Sequence, residues 1–343
     1  MIVDDYVEPA VLTGFVREVP PSPMLTLNRW LPDRRISDIE AAIEEVTKTN
    51  RVAKYRAWDS ETPITQRDTW KRSKVKIPPL GNKLPIMEEE RLKIERVRTR
   101  GDNSNGYVTA IYDDATNLAE YVHNRVELAR GDVLVDGKFT LTGENGLTIE
   151  ADFGVPAGNL VTASVAWSDT ANASPLTDLK AWVDDYVNLN GFRPQYMQTS
   201  STVISNLVLS QEIRELFSSM VGVPSLVTRA QLDQVLQAHG LPQLVEYNTR
   251  LDVDDVDTRV IPEDKVLLLP PDGMPLGFTA WGITAEALEL ASGENPSLEF
   301  EDLPGLVGVV LKEGDPVRTW TKVGATAMPI LSAPRRLMVA DVL

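Results

Sequence analysis

Apolar residues at Ile111, Ala115, Leu118, Val122, Val126 and Ala129 are separated by steps of three and four. Those steps bring all of them to one side of an α-helix. The pattern covers about eighteen residues, or roughly 27 Å of helix. Gly131 stands where such a helix is expected to end. The chain continues as GDVLVDGKFTLTGENG, residues 131–146. Asp136-Gly137, between VLV and KFTLT, carries the signature of a type I′ hairpin turn. Leu147, Ile149, Ala151 and Phe153 then follow at period two, as a half-buried strand does. A long helix running straight into a small sheet is the expected centre of an α+β fold.

The same stretch comes near the spacing of a phosphate-cradling loop and misses it. That loop has four residues between its glycines, then Lys and a hydroxyl residue. Five residues separate Gly131 from Gly137 here, and Phe139 stands at the hydroxyl position. The element order is also inverted, because a helix precedes the segment and strand follows it. GxSxG, HExxH and GxGxxG patterns are absent. The chain has no cysteine, which excludes disulfides, thiolate nucleophiles and cysteine metal sites. It has two histidines, His123 within a helical pattern and His239 at the end of another. The run Asp252, Asp254, Asp255, Asp257 lacks the glycine and distal glutamate of a calcium loop. It reads as a solvated loop or one that meets a basic partner. No enzyme activity, catalytic residue, cofactor or metal is expected.

Charge is split along the chain. The 343 residues hold 34 Lys/Arg and 50 Asp/Glu, a net of −16. Residues 48–98 contain 14 basic and 7 acidic residues, a net of +7, which leaves −23 on the remainder. Within that basic segment Val52, Lys54, Arg56 and Trp58 alternate, as do Val75, Lys76 and Ile77. Two strands joined by a polar tip at 59–68 are expected, with little apolar content for a core of their own. One reading is a solvated hairpin whose lysines guard its edges. The other is a projection that docks on the acidic surface of a neighbouring copy. A nucleic-acid finger is opposed by the acidic remainder, which repels phosphate.

Residues 1–35 are Pro-rich, with Pro20, Pro21 and Pro23 together. They read as an extended arm with apolar anchors at Val11, Leu12, Phe15, Met24, Leu25, Leu27 and Trp30. A short helix is expected at 37–46, where Ser37 and Glu40 have capping-box spacing. Another is expected at 86–97, broken by GDNSNG. Downstream, helices are expected at 177–189, 201–220 and 229–238. Strands are expected at 195–199, 244–248, 265–269, 305–312, 317–323 and 327–339. The apolar runs are too short to cross a bilayer, and no secretion leader or membrane partner is expected.

This order of parts resembles the major capsid proteins of tailed phages, which share the Hong Kong 97 fold, and within them the lambda-type family. The residues that carry the likeness are Val133-Leu-Val-Asp-Gly-Lys-Phe-Thr-Leu-Thr-Gly143 after the long helix, and Thr148-Ile-Glu-Ala-Asp-Phe-Gly154. Trp167, the Gly191…Pro194 break and the closing Ser332-Ala-Pro334 and Val339-Ala-Asp341 follow in order. The resemblance implies an arm and short helix at 1–47, an extended loop at 48–84, a peripheral domain at 85–160 plus 320–343 with the spine helix, and an axial domain at 161–319. It implies self-assembly into pentamers and hexamers of an icosahedral shell enclosing double-stranded DNA, touched without sequence specificity. Arg67, Trp70, Lys71, Arg72, Lys74 and Lys76 of the loop become the candidate subunit interface. Portal, scaffold or protease, and a small decoration protein become the expected partners. The virion is the expected location, with the host cytoplasm during assembly. Some members of the fold crosslink subunits through Lys and Asn. Nothing selects one among Lys71, Lys74 and Lys76, and a shell without crosslinks is expected. The alternatives are an encapsulin-like compartment of the same fold and a soluble carboxylate or metal hydrolase.

Overall fold

The computed structural model describes residues 7–38, 40–46, 55–56, 58, 61, 70–89, 92, 106–144, 146–217, 227–292, 303–314 and 317–343.

The first described element is a helix, α1 (Pro9–Glu18), where the sequence suggested an extended arm. Pro9 sits in its first turn, where the missing N–H costs nothing and the fixed φ favours the helix. Pro9, Leu12, Thr13 and Val16 fall on one side and are buried. The proline cluster at 20–23 lies beyond the helix, which stops at Glu18. A 3₁₀ turn at Leu27–Arg29 leads to β1 (Asp33–Arg35). Residues Glu40–Val46 then form strand β2, not the expected helix. They pair antiparallel with β3 (Trp70–Lys76). EAAIEEV is rich in helix formers, and the cross-strand partner overrides that local preference. The stem of this hairpin is anchored in the interior, where Ala41 and Ile77 are buried and Val75 packs against them. The expected tip at 59–68 lies outside the described residues, save residue 61.

Strand β4 (Pro79–Ile86) precedes the spine helix α2 (Gly106–Asp136). Most of the helix expected at 86–97 lies outside the described residues. At 31 residues α2 is roughly 46 Å long and far exceeds its apolar stripe. Gly131 does not end it. A Cβ there would lie 2.3 Å from the Val260 carbonyl oxygen, so the glycine admits a close backbone approach inside the helix. Val133 and Leu134 are buried helical residues, and no hairpin turns at Asp136-Gly137. Gly137 instead ends the helix with φ +74°, its N–H bonded to Val133 O. The hairpin that follows is β5 (Lys138–Glu144) with β6 (Leu147–Asp152), turning at Gly146. The helix-before-strand order that argues against a phosphate loop stands.

The remaining elements are β7 (Leu160–Thr162), α3 (Pro175–Asn190), β8 (Tyr196–Thr199), α4 (Ser201–Leu209), α5 (Gln211–Glu215) and α6 (Arg229–Ala238). Then come β9 (Gln243–Glu246), β10 (Arg250–Val253), β11 (Val256–Arg259), β12 (Lys265–Leu269), β13 (Gly277–Trp281), α7 (Ala285–Ser292), β14 (Val307–Gly314), β15 (Val317–Leu331) and β16 (Met338–Asp341). The helices at 177–189 and 229–238 and the strands at 195–199 and 265–269 match their expected spans closely. The capping box at α6, Thr228 with Gln231, and left-handed Gly191 after α3 fix two of those ends.

Two sheets organise the molecule. In the first, β1-β13-β15-β14, the 15-residue β15 is shared. Its first half runs between β14 and β4 and its second half pairs with β13. Helix α2 lies on this sheet through Ile111, Ala115, Leu118, Val122 and Val126, which are buried with Val323, Ala325 and Ala327. The second sheet is β7-β16-β12-β8-β9. Along β12 the strand period separates two cores: Val266 and Leu268 meet α3, α4 and α6, while Leu267 and Leu269 face the first sheet.

A buried ionic network fixes the entering chain to the spine. Glu127 and Arg130 of α2 are 0% and 6% exposed. Glu127 accepts hydrogen bonds from Leu27 N at 2.9 Å and Tyr247 Oη at 3.0 Å, and pairs with Arg130 at 3.2 Å. Arg130 donates to Thr279 Oγ1 at 2.9 Å and Asp33 Oδ1 at 2.6 Å. Each charge is met by several partners, which is the condition for burying an ion pair without a large penalty. Leu27, Trp30 and Leu31 are thereby held in the central core.

Candidate assembly interface

The hairpin β2–β3 builds the site from two sequences of opposite charge. Its backbone register sets Glu40 across from Lys76, Glu44 from Arg72, and Glu45 from Lys71. Opposite charges directly across an antiparallel pair favour that register. Lys74 reaches Glu40 at 3.0 Å while remaining 62% exposed. The stem is thus close to neutral, because its first strand supplies three glutamates that fall before residue 48. Sequence reasoning missed them by reading 37–46 as a helix. EAAIEEV carries no period-two alternation that would have marked the strand.

Among the expected interface residues, Lys74 and Lys76 lie on β3 with exposed side chains. Trp70, Lys71 and Arg72 lie on the same strand by their backbone positions. Arg67 lies outside the described residues. The described parts of the segment between the strands include Tyr55 and Trp58, exposed at 104% and 96%. An aromatic side chain left in water forgoes the burial that usually stabilises it.

The other candidate groups are used within the fold. His239 is the C-cap of α6. His123 is half-buried on α2, edge-on to Trp281 at 6.3 Å, and its Nε2 has no hydrogen-bond partner. Burial holds its pKa below the ordinary value. The acidic run at 252–257 is a hairpin turn, with Asp254 and Asp255 at φ +54° and +64°. Asp257 pairs there with Arg250. Among the described residues no group of three or more acidic or histidine side chains could hold a metal ion. None of the described helices is long and apolar enough to cross a membrane.

The exposed edge of the first sheet is closed by α1. Thr13 Oγ1 donates to Gly308 O at 3.1 Å and accepts from Gly308 N at 3.3 Å. One side chain thus satisfies both outward backbone groups at that position of β14. Arg17 Nε adds a bond to Leu306 O at 2.8 Å. Gly308 permits this crossing, since a Cβ there would lie 3.0 Å from Val16.

Among solved structures, a protein assigned as the capsid protein of an Escherichia coli CFT073 prophage is similar over 100% of both chains, at 15% identity and a TM-score of 0.62. A phage-related protein from Bordetella bronchiseptica RB50 is similar over 96% of this chain and 95% of its own, at 12% identity and a TM-score of 0.55. No curated protein matches the sequence. The fold is the α+β, Hong Kong 97-like capsid fold that the sequence implied. The sequence model of the family described as phage major capsid protein E matches residues 8–342. The chain therefore belongs to the phage major capsid protein E family.

Proposed function

We propose that this chain self-assembles into pentamers and hexamers of an icosahedral shell that encloses the double-stranded DNA of a tailed phage. The observation that carries the reading is the β2–β3 hairpin. Its stem is rooted in the core, while Tyr55 and Trp58 beyond it are wholly exposed. A segment built this way gains its burial from a neighbour. Repeating one such contact around a ring gives a heterologous interface that closes. Many modest contacts then act together. The net charge of −23 outside residues 48–98 suits a container, because packed phosphates are repelled from its wall.

We assign residues 1–47 to an arm, 48–84 to an extended loop, 85–160 with 320–343 to a peripheral domain and 161–319 to an axial domain around the five- and six-fold axes. The strand pairing supports three refinements. Residues 40–46 join the loop as its first strand, β13 joins the peripheral sheet and β16 joins the axial sheet. Portal, scaffold or protease, and a small decoration protein are the partners we assign to such a shell. Assembly in the host cytoplasm precedes residence in the virion. Particles recovered from phage-producing cells, treated with nuclease and then opened, test this reading. Protected double-stranded DNA is the expected content. Protein cargo in place of DNA contradicts it.

A further inference from the structure

Helix α1 carries two stripes on opposite sides. Pro9, Leu12, Thr13 and Val16 form the inner one and are buried, with Leu12 and Val16 packed against the sheet and α2. Val11, Gly14, Phe15 and Glu18 form the outer one. Residues at i, i+3, i+4 and i+7 share one helix face, the spacing by which one helix packs on another. With Tyr112 of α2 they line a groove of about 550 Å³. Val11 is 53% exposed there, and Phe15 meets Tyr112 edge to face at 4.7 Å.

Gly14 stands at the middle of the outer stripe, and the subunit's own packing does not account for it. Glycine inside a helix is unfavourable relative to alanine, because it loses more backbone freedom on folding. Where this fold needs a glycine, a Cβ would strike a neighbour, as at Gly131 beside Val260 and at Gly308 beneath α1. A Cβ at Gly14 would meet nothing within 4 Å. A glycine at the centre of an exposed helix face lets a second helix approach with its backbone close, since the side chains at the contact set the distance between axes.

We propose that α1 pairs with α1 of a second copy of this chain, antiparallel and crossing at Gly14, across a two-fold axis. The outer stripe is complementary to itself in that arrangement. Residues equally far on either side of the crossing point come together, so Val11 of each helix lies over the turn between Gly14 and Glu18 of the other. Glu18 of each then faces the first turn of the other helix. That turn holds no acidic residue and has no side-chain cap, so the positive end of the helix dipole meets a carboxylate. A parallel pair would instead set Glu18 against Glu18. The ring contact proposed above is heterologous and closes on itself. Joining one ring to the next takes a further contact, and an isologous one uses the same patch from both sides. The proposal rests on the shell reading and assigns α1 to the joint between rings.

Introduced cysteines test it, because the chain has none of its own. A disulfide needs Cα atoms within about 7 Å of each other. Particles of Gly14→Cys, oxidised and run on a non-reducing gel, should yield a dimer band. Particles of Val11→Cys alone should yield none, whereas particles assembled from a mixture of Val11→Cys and Glu18→Cys chains should yield one. Normal particles in which Gly14→Cys does not link overturn the helix pairing and leave the shell reading standing. Linking of Val11→Cys to itself overturns the antiparallel arrangement. Failure of the unmodified protein to form particles overturns the shell reading and this joint with it. A further variant, Gly14→Leu, fills the crossing point. The unfolding midpoint of the unassembled subunit should stay level or rise, while the association constant for particle formation falls about tenfold or more. Unchanged assembly of that variant contradicts the proposal.

Discussion

Single residues of this protein report on contacts that extend well beyond their own helices. Gly131 lies within α2, and a Cβ there would lie 2.3 Å from Val260 O and 2.6 Å from Val260 Cγ1. Both atoms belong to Val260, which follows β11 and is held by the central core, where Val260 and Ile261 are buried. Gly131→Ala should therefore destabilise the subunit by about 1–3 kcal/mol, despite the better helix propensity of alanine. Urea unfolding checks this, and a gain in stability would show that the approach is soft. His123 gives a pH dependence of definite sign. Burial depresses its pKa, with Asp33 and Glu120 favouring the proton, Arg130 opposing it, and the Val19 backbone as a hydrogen-bond partner. The unfolded chain then binds protons that the folded chain resists. The contribution of His123 is full above the ordinary value of 6.5 and is lost as pH falls below it toward the depressed folded pKa. The thermal midpoint of the wild type should fall more steeply with acidification through that range than that of His123→Gln. Parallel curves would contradict the assignment.

At the scale of elements, the hairpin is where local preference and tertiary structure part. Most of α3, α6, β8 and β12 was legible in the sequence, because apolar period, caps and breakers agree in each. Helix α1 was not, although Pro9, Leu12, Thr13 and Val16 have helical spacing, because the nearby prolines suggested extension throughout. In β2 the helix-forming residues of EAAIEEV concealed a strand whose partner lies some thirty residues away, from Glu40 to Lys76. Gly137 took the helix end expected of Gly131, because a close approach to Val260 is invisible along one dimension. The candidate interface was legible only as a basic segment; the opposing glutamates needed the fold. That pairing shapes the test of charge. Reversing Arg67, Lys71, Arg72 and Lys74 also sets like charges against Glu44, Glu45 and Glu40. A second variant that adds Glu40→Lys, Glu44→Lys, Glu45→Lys and Lys76→Glu restores the cross-strand pattern. If the loop docks by charge, both variants should keep their circular dichroism spectrum and lose particles at physiological salt. Recovery of assembly in the second variant would assign the effect to the hairpin itself.

On the scale of the whole molecule, the described interior is tied together by contacts within one chain. Two sheets share a core, a buried ionic network ties the entering segment to the spine helix, and α1 closes the edge of β14 at Gly308. What is incomplete faces outward: two solvated aromatics on a basic segment and an apolar groove on an acidic body. In the proposed shell these parts are buried against copies of the chain, and permanent interfaces bury upward of about 2,000 Å². The most direct test concentrates the purified protein at physiological salt and follows it by light scattering after size exclusion, with electron micrographs of the leading peak. Closed hollow particles of many subunits are the expected outcome. A compact species of single-chain mass that persists at high concentration, with Trp58 already shielded from solvent quenchers, would contradict the account.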